Sequence, residues 1–231
     1  MDTNIGAKER VTQNRLIGLF KNVLKYTCLG NWETREGNAN IEETLLTAYL
    51  SRRGYTDKEI RSAIAKFKQA ANSLGGGLYN ANKEVYTLLR YGVNVQAEVT
   101  EKKKMVHLID WANPMENDFQ IAEEVTIQGE SDRRPDLVVY VNGIALAVIE
   151  LKRSTVSAHE GIRQNIRNQQ DGYIPRFFTT IQLLFAGNDT EGLHYGVIKT
   201  PEKFWLRWKE PCGEPCKPSR FTAEEYPNEL D

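Results

Sequence analysis

The chain has 231 residues, of which 40% are apolar and 26% are charged, and its formal net charge is −1. This composition is typical of one large or two small domains with a true hydrophobic core. Three cysteines are too few for a disulfide scaffold, and no run of about 18 apolar residues exists to span a membrane. The amino terminus lacks the apolar region of a signal peptide, so we expect a cytoplasmic protein.

Residues 1–92 are predicted to form a mainly helical part that packs on the rest of the protein. Apolar residues recur at helical spacing in this part, and capping residues stand before two of the stretches. The expected helices are 8–26, a second from an N-cap at Asn40 to Gly54, a third from a capping box at Thr56–Glu59 to Gly75, and 82–90.

From Val93 the pattern changes to short apolar runs, so residues 93–209 are predicted to form a core with a central sheet. The expected strands are 93–99, 105–111, 119–128, the two arms of a hairpin within 136–152, 179–186 and 193–199. A capping box at Ser157–Glu160 predicts a helix over 157–171. Residues 210–231 are expected to be a polar tail or the start of a linker. Cys212 and Cys216 have the spacing of half a zinc site, but no second pair lies near them in the sequence.

The most informative stretch begins with Pro135-Asp136 and ends with Glu150-Leu151-Lys152. Between them lie two apolar runs joined by Asn142-Gly143, which is a strong hairpin signal. Two carboxylates and one ammonium group therefore flank a buried hairpin. Carboxylate oxygens suit Mg²⁺, and a lysine can stabilise charge that develops on a phosphate. The pattern predicts metal-dependent cleavage of a phosphodiester.

This chemistry limits the form of the hairpin, because side chains alternate between the two faces of a strand. A regular two-residue turn would place Glu150 and Asp136 on opposite faces. We therefore expect either a three-residue loop, Val141-Asn142-Gly143, or a bulge.

The pattern P-D followed by E-x-K resembles the PD-(D/E)xK nuclease superfamily. The longer string Arg133–Gly143, then Val148–Lys152, resembles the restriction (R) subunit of type I restriction-modification enzymes. Gln169 and Tyr173 match the Q-x-x-x-Y motif that follows E-x-K in RecB-like nucleases and in these subunits. The resemblance implies an α/β fold of the restriction-endonuclease type, with a mixed central sheet flanked by helices. It also implies an amino-terminal nuclease domain with its core in residues 93–209.

The resemblance also implies roles for single residues. Asp136 and Glu150 would bind Mg²⁺, and Lys152 would orient water or stabilise charge. Gln169, Tyr173 and Arg134 would support the site or contact DNA. Many nucleases of the superfamily place an acidic residue from an early helix near the metal, which Glu42 or Glu43 could supply, although stabilisation of the helix dipole is the favoured reading for both. His107 could approach the site across the sheet, but a local hydrogen bond is favoured.

Type I R subunits also contain an ATP-driven translocase, and 231 residues are too few for it. The sequence has no phosphate-binding G-x-x-x-x-G-K-[ST] loop. We therefore expect ATP to be used by the full-length subunit and not by this part of it. The expected function is cleavage of double-stranded DNA after translocation, in a complex with modification and specificity subunits.

Two other functions remain open at this stage. The domain could be a docking module of the R subunit with a dormant site, which the low basicity favours. It could also be a RecB-like exonuclease or repair nuclease, since such enzymes share every motif named. Convergence of Asp136, Glu150 and Lys152 would favour a nuclease, and splayed side chains would favour docking.

Overall fold

The computed structural model describes residues 5–96 and 103–209, with side chains from Arg10 onward. The predicted tail 210–231, Cys212, Cys216 and the end of the predicted strand 93–99 lie outside these ranges. The helices are α1 (Ile5–Gly18), α2 (Glu43–Arg52), α3 (Asp57–Asn72), α4 (Leu78–Tyr91) and α5 (Ala158–Asn168). The strands are β1 (Thr27–Asn31), β2 (Val93–Val95), β3 (Lys104–Val106), β4 (Phe119–Glu123), β5 (Leu137–Val141), β6 (Ile144–Leu151), β7 (Leu183–Asn188), β8 (Gly192–Gly196) and β9 (Leu206–Arg207).

Seven strands form one mixed sheet in the order β1-β4-β5-β6-β7-β8-β9. The pairs β1–β4 and β6–β7 are parallel, and the other neighbours are antiparallel. The hairpin β5–β6 lies near the middle of this sheet. Both of its faces are covered, which explains why its two arms are apolar at almost every position. The predicted mixed sheet flanked by helices is confirmed.

Helices cover the two faces of the hairpin differently. On one face, Ile162 of α5 belongs to the same buried cluster as Val138 and Val148. On the other face, a second cluster contains Leu137 and Ile149, and apolar residues of α1 and the following π-helical turn (Leu19–Val23) pack against it. Residues of even number near the end of β6, including Glu150, therefore face α5.

The remaining helices form a cluster at the tip of the hairpin. Val141 and Ile144 share a buried core with α2, α3 and α4. The Glu42 amide donates to the Gly143 carbonyl, 2.8 Å away, so the start of α2 is joined directly to the turn. Helices α2, α3 and α4 thus pack on the end of the hairpin that is far from Asp136 and Glu150.

Three local expectations were wrong. The segment between the first two expected helices contains the strand β1, which the sequence pattern did not predict because Thr27–Asn31 is short and has few apolar residues. The strand expected over 105–111 is only β3, and it pairs with β2 in a separate ribbon. Asn40 does not cap α2, because its amide donates instead to the Arg176 carbonyl and to Thr179 Oγ1.

The turn of the hairpin has two residues, not the three of the expected loop. Val141 pairs with Ile144, and Asn142 and Gly143 both have positive φ angles (54° and 80°), as a tight hairpin turn requires. The alternative expectation of a bulge is confirmed: Val139 pairs with Ala147 and Tyr140 with Ala145, so Leu146 is the extra residue. The bulge shifts the register by one and restores the same face to Asp136 and Glu150.

Candidate active site

Asp136 and Glu150 meet where β5 begins and β6 ends. Leu137 pairs with Ile149, so one further step in this register sets Asp136 opposite Glu150. Directly opposed residues have Cβ atoms about 5 Å apart. The Leu151 amide donates to Asp136 Oδ2 at 2.6 Å, which holds the Asp136 carboxylate against β6.

Lys152 lies at the same end of the hairpin, one residue beyond β6. Its amide donates to the Gly187 carbonyl at 2.9 Å, so the backbone is still attached to β7. Its Nζ donates to the Leu151 carbonyl at 2.9 Å and lies 4.0 Å from Glu150 Oε2. The structure therefore brings together all three residues of the predicted catalytic set.

Glu150 is the most unusual of the three. Its side chain is fully buried, and neither carboxylate oxygen has a hydrogen-bond partner among the described residues. Burial raises the pKa of Glu150 well above its ordinary value, and the charge of Asp136 raises it further, while Lys152 acts in the opposite direction. A buried carboxylate with so little compensation is costly, which marks this position as one for a cation or a proton.

The chemistry of this site fits a hard divalent cation held by few protein ligands. Asp136 and Glu150 supply carboxylate oxygens from adjacent strands, and those of Glu150 accept no hydrogen bond from a described residue. Within residues 5–96 and 103–209 no group of three or more His, Cys, Asp or Glu side chains is arranged around one point. The arrangement suits Mg²⁺, which commonly takes one or two carboxylates and keeps several waters.

Helix α5 closes the site from above because it carries a glycine there. A Cβ atom at Gly161 would lie 3.5 Å from the Glu150 Cβ and 3.1 Å from that of Ala186. Gly161 and Ala186 are small enough for α5 to lie directly over Glu150. The close approach of the helix explains why the Glu150 side chain is completely buried.

Glu124 is a further acidic residue at this end of the hairpin, and the sequence analysis did not identify it. It follows β4 and has a positive φ of 48°, which is uncommon for a residue other than glycine. Its amide donates to the Asp136 carbonyl at 2.8 Å, and its charge contributes to the raised pKa of Glu150. No spacing rule relates Glu124 to the P-D and E-x-K motifs, so only the sheet pairing reveals it.

Arg134 lies beside Glu124. Its Nε is 3.0 Å from Glu124 Oε2, and its Nη1 pairs with Glu33 Oε1. Arg133, its neighbour, stacks on the ring of Tyr173 with 4.3 Å between the guanidinium carbon and the ring centroid. Tyr173 is thus connected to the loop that carries Arg134 and Asp136.

The structure does not bring Gln169 to the carboxylates. Its Oε1 accepts from the Lys199 amide at 2.7 Å, and its Nε2 donates to the Asn165 carbonyl at 2.9 Å. Gln169 is also eight residues beyond Gly161, which is about 12 Å along a helix. The helix predicted over 157–171 ends earlier, at Asn168, so Gln169 and Tyr173 both lie beyond α5.

Another pair in α5 has the same spacing and is better placed. Gln164 and Asn168 follow Gly161 at three and seven residues, so they lie on the flank of the helix that contacts Glu150. Gln164 is half-buried, and Asn168 is fully buried with no hydrogen-bond partner for its amide atoms among the described residues. The spacing Gln164-x-x-x-Asn168 is visible in the sequence, but it lacks the tyrosine of the Q-x-x-x-Y motif.

Glu42 and Glu43 do not join the site. Glu42 is bound to Arg35 and lies at the hairpin tip, and Glu43 pairs with Lys68. Seven residues separate Gly143 from Glu150, which is roughly 20 Å along a strand. His107 is also remote: it follows the separate β2–β3 ribbon, and its amide donates to the Tyr55 hydroxyl at 3.0 Å.

This protein has the features of the restriction-endonuclease-like class of α/β proteins. They are a mixed sheet covered by helices, and two carboxylates and a lysine at the ends of adjacent central strands. Residues 7–203 match the family described as the type I restriction enzyme R protein N terminus. The chain belongs to this family.

Curated relatives carry matching names. The chain is 29% identical over 154 residues to the putative type I restriction enzyme MjaIXP endonuclease subunit of Methanocaldococcus jannaschii, covering 63% of this chain and 14% of that protein. It is 30% identical over 133 residues to the type I restriction enzyme SsaAORF53P endonuclease subunit of Staphylococcus saprophyticus, covering 58% and 13%. The matched part is thus about one seventh of each relative. No helix among the described residues combines the length and apolar character needed to cross a membrane.

Proposed function

We propose that this chain is the nuclease domain of a type I restriction enzyme and that it cleaves double-stranded DNA with Mg²⁺. The observation that carries the proposal is the meeting of Asp136, Glu150 and Lys152 at one end of the hairpin, where the Glu150 oxygens accept no hydrogen bond from a described residue. Membership of the R-subunit family and the names of the relatives support it. An entirely structural role gives no reason to bury a carboxylate beside another carboxylate.

Asp136 and Glu150 would hold the metal ion from adjacent strands. When bound, Mg²⁺ supplies charge that polarises the phosphate and favours ionisation of water. Asp136 is fixed by the Leu151 amide, so it needs little rearrangement. Lys152 has a side chain that is 17% exposed, and its ammonium group would orient the attacking water or stabilise the charge that builds up on the phosphate.

The activity of the whole protein extends this proposal. The relatives are several times longer than this chain, so translocation and ATP hydrolysis would belong to other parts of the subunit. Modification and specificity subunits would supply sequence recognition and much of the DNA affinity. A cytoplasmic location is part of the same proposal.

Plasmid cleavage by the complete restriction complex with Mg²⁺ and ATP tests the function. We expect Asp136→Ala, Glu150→Ala and Lys152→Ala each to reduce cleavage by at least about a hundredfold, because each removes a charge that acts on the transition state. ATP hydrolysis should be retained, since the motor is elsewhere. Glu43→Gln is the matched control, and it should leave both activities unchanged.

Two outcomes would contradict the proposal. Normal cleavage by the three variants would show that the site is dormant and would favour the docking module. Loss of cleavage and ATP hydrolysis together would indicate a structural role for these residues. The exonuclease alternative is tested separately on linear DNA, where degradation that proceeds only from the ends would favour a RecB-like exonuclease.

A further inference from the structure

The most informative feature outside the catalytic trio is the position of Arg134 between two unlike carboxylates. Glu124 holds its Nε at 3.0 Å and has a side chain that is 13% exposed. Glu33 pairs with Nη1 and has a side chain that is 50% exposed. One partner is therefore part of the protein interior, and the other is a solvent-exposed anion.

Glu124 has the features of a fixed support. Its positive φ turns it out of the alternation of β4, and its amide is bound to the Asp136 carbonyl. An uncommon backbone conformation persists only where its surroundings hold it. Glu124 thus contacts both Arg134, through its side chain, and Asp136, through its amide.

Glu33 has the features of an exchangeable partner. It lies in the loop after β1, and an ion pair between exposed side chains contributes little to stability. A guanidinium group binds phosphate through the same planar donors that bind a carboxylate. The outer donors of Arg134 therefore face an anion that a phosphate can replace, while the Nε contact to Glu124 remains.

We propose that Arg134 binds a DNA phosphate beside the catalytic trio, that Glu33 occupies this phosphate position until DNA arrives, and that Glu124 is the positioning residue that orients the arginine. This inference rests on the proposed function, since it takes DNA as the substrate. It assigns opposite effects to the two carboxylates that bind the Arg134 side chain. Glu33 competes with DNA, and Glu124 assists its binding.

The test is binding of a short fluorescent DNA duplex to the 231-residue chain, measured by anisotropy in EDTA so that no cleavage occurs. The variants are Glu33→Gln, Glu124→Gln and, as the matched control, Glu36→Gln, which removes an exposed carboxylate from the same loop. Each removes one negative charge, so long-range electrostatics alone would strengthen binding in all three alike.

We expect Glu33→Gln to bind about two- to fivefold more tightly than Glu36→Gln, the range that a weak exposed ion pair allows. We expect Glu124→Gln to bind at least about threefold more weakly than the wild type despite its lost negative charge. Arg134→Lys keeps the charge but not the planar donors, so it should weaken binding and abolish the advantage of Glu33→Gln. The slope of log affinity against log salt should fall by about one in Glu124→Gln, and this slope does not depend on the fraction of protein that is folded.

Three results would overturn the inference: Glu124→Gln strengthening binding as Glu36→Gln does, Glu33→Gln matching Glu36→Gln, or neither the wild type nor Glu33→Gln binding the duplex. The proposed function is judged separately. A chain that binds as expected while the complete complex fails to cut would contradict the nuclease proposal alone.

Discussion

Single residues at this site are arranged for function at a cost in stability, and Glu150 shows this most clearly. Its carboxylate is buried beside Asp136, and both oxygens lack hydrogen-bond partners among the described residues. Because the folded-state pKa is raised, the folded protein binds a proton at Glu150 more tightly than the unfolded chain does. Between the ordinary pKa of glutamate and the raised value, the free energy of unfolding therefore falls as pH rises.

Glu150→Gln should remove this dependence on pH. In the absence of divalent cations, we expect the variant to be more stable than the wild type at pH 8 by on the order of 1–3 kcal/mol, because a folded glutamine requires neither a buried charge nor the uptake of a proton. The difference should shrink towards pH 4.5, where the wild-type side chain is protonated. Urea unfolding at several pH values measures it, with Glu36→Gln as an exposed control that should change stability little. A variant less stable than the wild type at every pH would show that the Glu150 charge is well compensated.

Among the elements, the β5–β6 hairpin shows how far sequence alone could reach. The apolar runs, the Asn142-Gly143 turn and the need for an irregularity could all be predicted, since they follow from strand periodicity and from the chemistry of Asp136 and Glu150. The position of the irregularity could not, because a three-residue loop and a bulge at Leu146 produce the same relation of faces. The turn also contacts the start of α2, where the Glu42 amide donates to the Gly143 carbonyl, and the pattern of the hairpin carries no information on this contact.

Gly143, in the turn of the hairpin, lies in close contact with the start of α2. Its φ is 80°, and an added Cβ would lie 2.7 Å from the Leu45 Cβ and 2.8 Å from the Glu42 carbonyl oxygen. We expect Gly143→Ala to lower the free energy of unfolding by about 2–4 kcal/mol through backbone strain and overpacking together. Gly54→Ala is the matched control, because Gly54 has the same left-handed backbone (φ 81°) with nothing within 4 Å, so it should show the strain alone, about 1 kcal/mol. Equal losses in the two variants, measured by urea unfolding, would contradict a role for the α2 contact.

On the scale of the whole molecule, the sheet joins parts of the chain that sequence analysis treated separately. The convergence of Asp136, Glu150 and Lys152 was predicted from local patterns, since these residues lie within one hairpin and its flanks, and the mixed sheet was predicted from the family resemblance. Glu124, the remote position of Gln169 and the edge strand β1 were not, because each depends on pairing between distant segments. Local periodicity carries no information on which strands become neighbours, so these features required the structure.

Binding of Mn²⁺, used as a spectroscopic substitute for Mg²⁺, tests the central claim that Asp136 and Glu150 form one cation site. Electron paramagnetic resonance follows the signal of free Mn²⁺ as the 231-residue chain is added. We expect the wild type to bind Mn²⁺, Asp136→Asn and Glu150→Gln each to lose this binding, and Glu43→Gln to retain it. Equal binding by all four proteins, or no binding by the wild type, would contradict the account.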